Sequence, residues 1–282
     1  PEHGTGLFVS YNGLGEKDAA QRARMELLQA FLSRYHPAPP VEALAPLKDS
    51  AERAARFAGG YQTTWRTYGT AEASVGWRQE VRVRDGGDGT VRIKEPGSAP
   101  RSWVEVEPGL FRPADEPASP ERAVFREDAR GHVTHLFFQN RPSAAYERVP
   151  WYETSAFTHG LLAVCAAFFA LALGVGLVHR SPGTGWVAAI ALLDLCFLTG
   201  FTLLVRYRPD LGYGETPRLL GVSLTCALLA AVLTPGALVW SARAWWKRSG
   251  SVSVRLCLTG ATLAALAFVA WLHHWHLLGF HG

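Results

Sequence analysis

The chain has 282 residues, a formal net charge of +4 and a hydrophobic share of 48%. Its mean hydropathy of +0.04 averages two unlike halves, a charged one through residue 150 and an apolar one from about residue 156. All four cysteines (Cys165, Cys196, Cys226 and Cys257) lie in the apolar half, which excludes a disulfide framework or a CxxC metal pair in the soluble half and leaves them as small apolar packing residues.

The chain reads as beginning in the middle of a domain. Leu7-Phe8-Val9-Ser10-Tyr11 is a short apolar run that fits a strand covered on both faces, and Asn12-Gly13 and Gly15 follow it. Ala20, Ala23, Leu27, Leu28, Phe31 and Tyr35 then recur at helical spacing on one face. A strand needs neighbours, and nothing before this one supplies them. Residues 1–36 are therefore expected to be the closing edge of a larger domain. Residues 37–48 form a Pro-rich linker, opened by His36-Pro37-Ala38-Pro39-Pro40, whose proline content makes it stiff and extended.

Residues 49–150 read as a small β-rich accessory domain. A short helix over about 49–57 is expected to be capped by Asp49 or Ser50 and ended by Gly59-Gly60. Period-two alternation follows. Val81, Val83, Val91 and Ile93 face one way, and Arg82, Arg84, Arg92 and Lys94 the other, around the turn Asp85-Gly86-Gly87-Asp88-Gly89. Trp103, Val104, Val106, Leu110 and Phe111 make a second pair around Pro108-Gly109. Residues 123–126 and 132–138 pair across Asp128-Ala129-Arg130-Gly131, and 145–149 close the set. About six to eight short strands in roughly 100 residues predict a small antiparallel barrel or sandwich. Glu80, Asp85, Asp88, Glu95, Glu105 and Glu107 interleave with the basic row, so it reads as a solvated outer face and not a nucleic-acid surface. His132 and His135 are expected to project to opposite faces of one strand, which keeps them from converging on a metal.

Residues 151–282 read as a membrane domain of four transmembrane helices over about 157–178, 185–205, 219–241 and 253–278, each long enough for the roughly 20 apolar residues a crossing takes. The first and third connections share one side and carry Arg180, Arg243, Lys247, Arg248 and Arg255. The second carries Arg206, Arg208 and Arg218. The excess places the first and third connections inside and the soluble half outside the cytoplasm. Asp194, mid-span, raises the question of transport against a neutral or hydrogen-bonded carboxyl between helices. Pro235-Gly236 reads as a kink. His273 and His276 stand three apart, a spacing that allows a shared ligand, but with Trp271 and Trp275 beside them they also fit an interfacial belt.

Catalytic signatures are absent. The lysines are Lys17, Lys48, Lys94 and Lys247, and none stands three residues after a Ser. There is no Gly-x-Ser-x-Gly and no phosphate-binding Walker loop; His3-Gly4-Thr5-Gly6 reads as an ordinary turn before a strand.

The run Pro1-Glu2-His3-Gly4-Thr5-Gly6-Leu7-Phe8-Val9-Ser10-Tyr11-Asn12, followed by Glu26-Leu27-Leu28-Gln29-Ala30-Phe31-Leu32-Ser33-Arg34-Tyr35, resembles the C-terminal edge of the serine β-lactamase and penicillin-binding-protein-like hydrolase domain. Bacterial members with a C-terminal membrane extension look similar in Ala54–Tyr61, Trp103–Pro108, Val133–Phe137, Tyr146–Tyr152 and Trp275–Phe280. The resemblance implies a parent enzyme in which the Ser of a Ser-x-x-Lys motif attacks a carbonyl, activated by Lys and Tyr. None of those motifs maps onto this chain; Tyr11-Asn12 is adjacent and is not Tyr-x-Asn. The expected fold is thus multi-part: a partial α+β edge, a small antiparallel β-barrel-like domain and a four-helix transmembrane bundle. The expected function is the membrane-anchoring and accessory C-terminal part of a serine hydrolase, partnered by the lipid bilayer and a missing N-terminal hydrolase domain, with no catalytic, cofactor or metal residue of its own. The alternative is a complete non-enzymatic membrane protein with an extracytoplasmic barrel that binds or senses.

Overall fold

Two patterns divide the chain, alternation up to residue 149 and continuous apolarity from 155, and the architecture follows them. A computed structural model describes residues 6–13, 19–37, 45–116, 119–207 and 218–278. Helix α1 (Ala19–Tyr35) is followed by α2 (Ser50–Phe57). Eight strands come next: β1 (Gly59–Thr63), β2 (Val81–Asp85), β3 (Thr90–Lys94), β4 (Arg101–Glu107), β5 (Leu110–Pro113), β6 (Ala123–Glu127), β7 (Val133–Phe138) and β8 (Ala145–Val149). Each strand pairs antiparallel with its neighbour in sequence. β8 returns to β1 through Gly60 opposite Val149 and Thr63 opposite Tyr146, so the sheet is a closed barrel.

Eight strands leave an interior just wide enough for side chains to fill. Val81, Val83, Val91, Ile93, Trp103, Phe111, Phe125, Leu136 and Phe138 fill it, as the alternation predicts. Helix α2 packs on β2 and β3 and delivers Phe57, 0% exposed, into the core. The Phe57 ring lies 4.9 Å from both Phe111 and Phe125, and the Tyr61 ring 5.6 Å from Phe125. Tyr61 donates its hydroxyl to the Phe57 carbonyl at 2.7 Å, so the aromatic cluster also ties the end of α2 to β1.

An ion pair between a buried carboxylate and a partly exposed arginine fixes the other end of α2. Glu105, 1% exposed, accepts from Arg53 at 2.9 and 2.8 Å and from the Gly109 backbone N–H at 2.8 Å. The last bond closes a bulge between Glu105 and Glu107, where Gly109 takes a positive φ of 75°. Glu105 is therefore not part of a solvated face; its carboxylate points inward because Arg53 reaches it from α2. The basic row Arg84, Arg92 and Lys94 does face solvent. Both predicted turns are present: Gly86 donates to the Thr90 carbonyl, and Asp128 accepts from the backbone N–H groups of Arg130 and His132.

Two differences from the sequence reading stand out. Gly59-Gly60 does not merely end α2; it opens β1, the strand that closes the barrel. Leu7–Tyr11 forms no strand, since no described strand meets its backbone, and Leu7, Phe8 and Tyr11 are exposed. On α1, Leu27, Leu28, Leu32 and Tyr35 are likewise exposed. Residues 1–5, 14–18 and 38–44, which include Gly15 and most of the Pro-rich linker, lie outside the described residues.

Four long helices follow: α3 (Ser155–Val178), α4 (Pro182–Tyr207), α5 (Arg218–Trp246) and α6 (Val252–His274), each apolar and long enough to cross a membrane. They pack as an up-and-down bundle in the order α3, α4, α5, α6, with α6 closing against α3. Small residues set close approaches between helices: Gly176 against Ala188, Gly200 against Ser223 and Gly260 against Phe168. Helix α5 runs unbroken through Pro235. The Pro235-Gly236 pair forms a bay for Trp186 of α4, whose indole donates to the Leu233 carbonyl at 3.1 Å. The last span stops at His274, short of the predicted 278, where the chain reverses and Leu277 donates back to the Leu272 carbonyl.

Truncating Phe57 to Ala should cost about 3–5 kcal/mol, since it empties the centre of the barrel. In the full chain in detergent, hydrogen exchange should show barrel amides losing roughly two to three and a half orders of magnitude of protection while those of the bundle keep theirs. Unchanged barrel protection would mean that α2 is not part of the barrel's core.

Candidate functional site

The barrel and the bundle meet where polar side chains from distant segments converge. The β1–β2 connection carries a 3₁₀ segment, Ala71–Gln79, that reaches down to the bundle. Its Ala73 joins the apolar core of the helices, and the Trp77 ring stands edge-on to His159 of α3 at 4.7 Å. Directly after it, Glu80 is buried and accepts the backbone N–H of Ser155, the first residue of α3. A carboxylate at this position satisfies an N–H that the helix itself leaves free and interacts favourably with the helix dipole. Thr154 caps the same turn by accepting from the Phe157 N–H at 3.4 Å. Gly60 makes the approach of Glu80 possible: a β-carbon there would stand 2.7 Å from Glu80 Oε1.

Around this joint lies a hydrogen-bonded network. Gln62, buried on β1, donates to the Glu153 carbonyl at 3.0 Å and accepts from Arg66 at 2.7 Å. Arg66 pairs with Glu147 of β8 and stands 3.8 Å from Glu153, with the Tyr68 ring 4.8 Å from its guanidinium carbon. Burial opposes its charge, but the hydrogen bond and charge of Glu147 outweigh that cost and hold Arg66 above the ordinary arginine range. From the end of α6, His274 Nε2 comes to 3.4 Å from Glu153 Oε1, and its ring stands edge-on to Tyr152. A cavity of about 350 Å3 opens among Arg66, Tyr68, Glu153, His273, His274 and His276. Among the described residues, six buried polar atoms at this junction have no hydrogen-bond partner: Arg66 Nε, Trp77 Nε1, Ser155 Oγ, Thr158 Oγ1, Trp271 Nε1 and Trp275 Nε1.

Chemically, the described lining offers hydrogen-bonding and charged groups: Arg66, Glu153 and the imidazoles of His273, His274 and His276. No Ser, Cys or Lys lines the cavity, and the Tyr68 hydroxyl is committed to Glu147 at 3.1 Å. His273 and His276 both border it, but among the described residues no group of three His, Cys, Asp or Glu side chains is placed to hold a metal. Of the lysines, Lys48 precedes α2, Lys94 ends β3 and Lys247 follows α5 at the far end of the bundle, so they do not converge; Lys17 lies outside the described residues. Asp194, 1% exposed, points into the bundle with Oδ1 unpartnered, in electrostatic range of Cys165. His135 bonds to Thr134 on β7, while His132 sits in the turn before β7 beside Asp128, so the two do not meet. Arg66, Glu80, Glu153 and His274 had no signal of their own in the sequence. Their partners are far away in the chain, as with Glu80 and Ser155, 75 residues apart.

Fold and junction together define the class: a multi-pass membrane protein that carries a closed, side-chain-filled barrel on one end of a four-helix bundle. No protein-family model matches the chain, and no curated protein matches it either.

Glu80→Ala removes the acceptor for a buried N–H and should cost about 1–3 kcal/mol. Gly60→Val, which displaces the same carboxylate, should act in the same direction. In both variants the Ser155 amide should exchange faster while the strand amides β2–β7 stay protected. Uniform loss of protection would show that the joint supports the whole barrel and not only its seating.

Proposed function

We propose that this chain is the membrane-anchoring, accessory part of a serine hydrolase of the β-lactamase and penicillin-binding-protein class, and that it holds a catalytic domain at the membrane without contributing catalytic residues. The observation that carries this reading is apolar surface in the N-terminal segment: Phe8 is 91% exposed, and α1 presents Leu27, Leu28, Leu32 and Tyr35 to solvent. Such a surface is suited to the core of an adjoining domain. The filled barrel supports a pedestal role, since its interior is committed to its own packing. The loop charges, five Lys and Arg against three, favour placing barrel and catalytic partner outside the cytoplasm.

A second reading is favoured by the junction cavity and the unpartnered polar atoms beside it: the barrel as an extracytoplasmic binding or sensing module. The two readings differ in what completes the molecule. In the first, a hydrolase domain covers α1; in the second, a small polar ligand occupies the junction.

The 282-residue chain should take up no β-lactam or fluorophosphonate probe, and stoichiometric labelling would sink the pedestal reading. Co-expression with a hydrolase domain bearing Ser-x-x-Lys should cover Leu27, Leu28 and Leu32, measured as slowed exchange across α1. The soluble half has no cysteine, so Arg84→Cys in intact cells gives a clean test of sidedness. Labelling by a membrane-impermeant maleimide is expected, and labelling only after lysis would place the barrel inside.

A further inference from the structure

The end of the bundle away from the barrel holds a cavity of about 440 Å3 between the α3–α4 turn, the last turns of α5 and the start of α6. Its polar wall includes His179, Arg180, Thr184, Arg243 and Ser249, and Trp240 forms an aromatic side. The size is that of a small-ligand site. The α3–α4 turn is built tightly: Ser181 Oγ accepts from the Thr184 N–H, Thr184 Oγ1 accepts from the Ser181 N–H, and Pro182 opens α4. The Arg243 guanidinium carbon lies 5.9 Å from the Trp240 ring centroid, which keeps this cation at the cavity wall.

The electrostatics at this end run one way. Arg180, Arg243, Lys247, Arg248 and Arg255 gather in two short connections and the turns beside them, and no Asp or Glu occurs in 155–193 or 218–282. A cavity lined by two arginines, with no acid in the flanking chain, is a site for an anion. Two lipid-facing apolar troughs run up to it. One, of about 680 Å3, lies along α3 beside Ala170, Leu171 and Gly174 and ends on His179, which it shares with the cavity. The other, of about 510 Å3, lies along α5 beside Val239 and Trp246 and shares Arg243.

We propose that this cavity binds the phosphate headgroup of an anionic glycerophospholipid from the leaflet opposite the barrel, with acyl chains lying along α3 and α5. A basic pocket between transmembrane helices supplies charge for the headgroup. The troughs supply what a free anion would not use. This site is independent of the hydrolase reading and stands or falls apart from it.

The test is native mass spectrometry and thermal-shift titration of the full chain in detergent. Phosphatidylglycerol, phosphatidylcholine and inorganic phosphate are compared as ligands. Phosphatidylglycerol should bind and raise the melting temperature, phosphatidylcholine should bind far more weakly, and inorganic phosphate should not compete at millimolar concentration. Arg180→Gln with Arg243→Gln should weaken phosphatidylglycerol roughly twenty-five-fold, about fivefold for each arginine. Arg248→Gln, which removes charge outside the cavity wall and both troughs, should weaken it much less. Ser249→Glu keeps the test decisive if the double arginine variant fails to fold: a carboxylate on the cavity wall should abolish binding. Equal binding of phosphatidylcholine, unchanged binding in the Arg180/Arg243 and Ser249 variants, or effective competition by inorganic phosphate would each overturn the lipid assignment. In the last case the cavity would be a free-anion site.

Discussion

The joint between Glu80 and the first N–H of α3 is the contact on which the arrangement of the two halves depends. A transmembrane helix begins with free N–H groups that, at this end, meet protein as well as solvent. Glu80 supplies the acceptor, Gly60 the space for it, and the 3₁₀ segment with Ala73 and Trp77 the apolar contact that brings Glu80 there. Gln62, Arg66, Glu147 and Glu153 then extend the bond into a network spanning β1, β8 and the start of the membrane. Together with the Ala73 and Trp77 contacts, that joint specifies the orientation of barrel to bundle.

A second dependence lies within the barrel. The strand side chains and Phe57 of α2 make one core, with the Phe57 ring against Phe111 and Phe125. The Arg53–Glu105 pair fixes where α2 sits. The buried carboxylate has three hydrogen bonds, so its charge is matched; removing Arg53 would leave it unmatched inside the sheet.

Much of this was legible from residue pattern. Alternation between Val81 and Ile93, and the Asp- and Gly-rich turns at 85–89 and 128–131, point to hairpins because turn geometry and side-chain facing are local properties. The four spans are equally plain, since lipid demands a long apolar run. What stayed hidden was non-local. Glu80 and Glu105 look like solvated acids beside a basic row, and only the fold brings Ser155 and Arg53 to them. Gly59-Gly60 looks like a helix stop, because two glycines carry no side-chain pattern from which a strand is read. Leu7–Tyr11 looks like a buried strand, yet apolar content alone cannot supply the neighbours that make one.

Closure of the barrel through β1 and β8 also sets how it would carry a load. The chain enters at Gly59 and leaves at Val149, and these ends lie side by side, since Gly60 pairs with Val149. Tension applied at these two ends would therefore act on one seam, peeling β1 from β8 one ladder bond at a time instead of shearing the whole strand; α2, held by Arg53 and Phe57, stands ahead of it on the N-terminal side. Arg148 sits on that seam and donates to the carbonyls of Arg56 and Ala58 at 3.3 and 2.6 Å, so the exit strand grips the entry strand's own leader. The guanidinium is a clasp at the point where the two strand ends would begin to part.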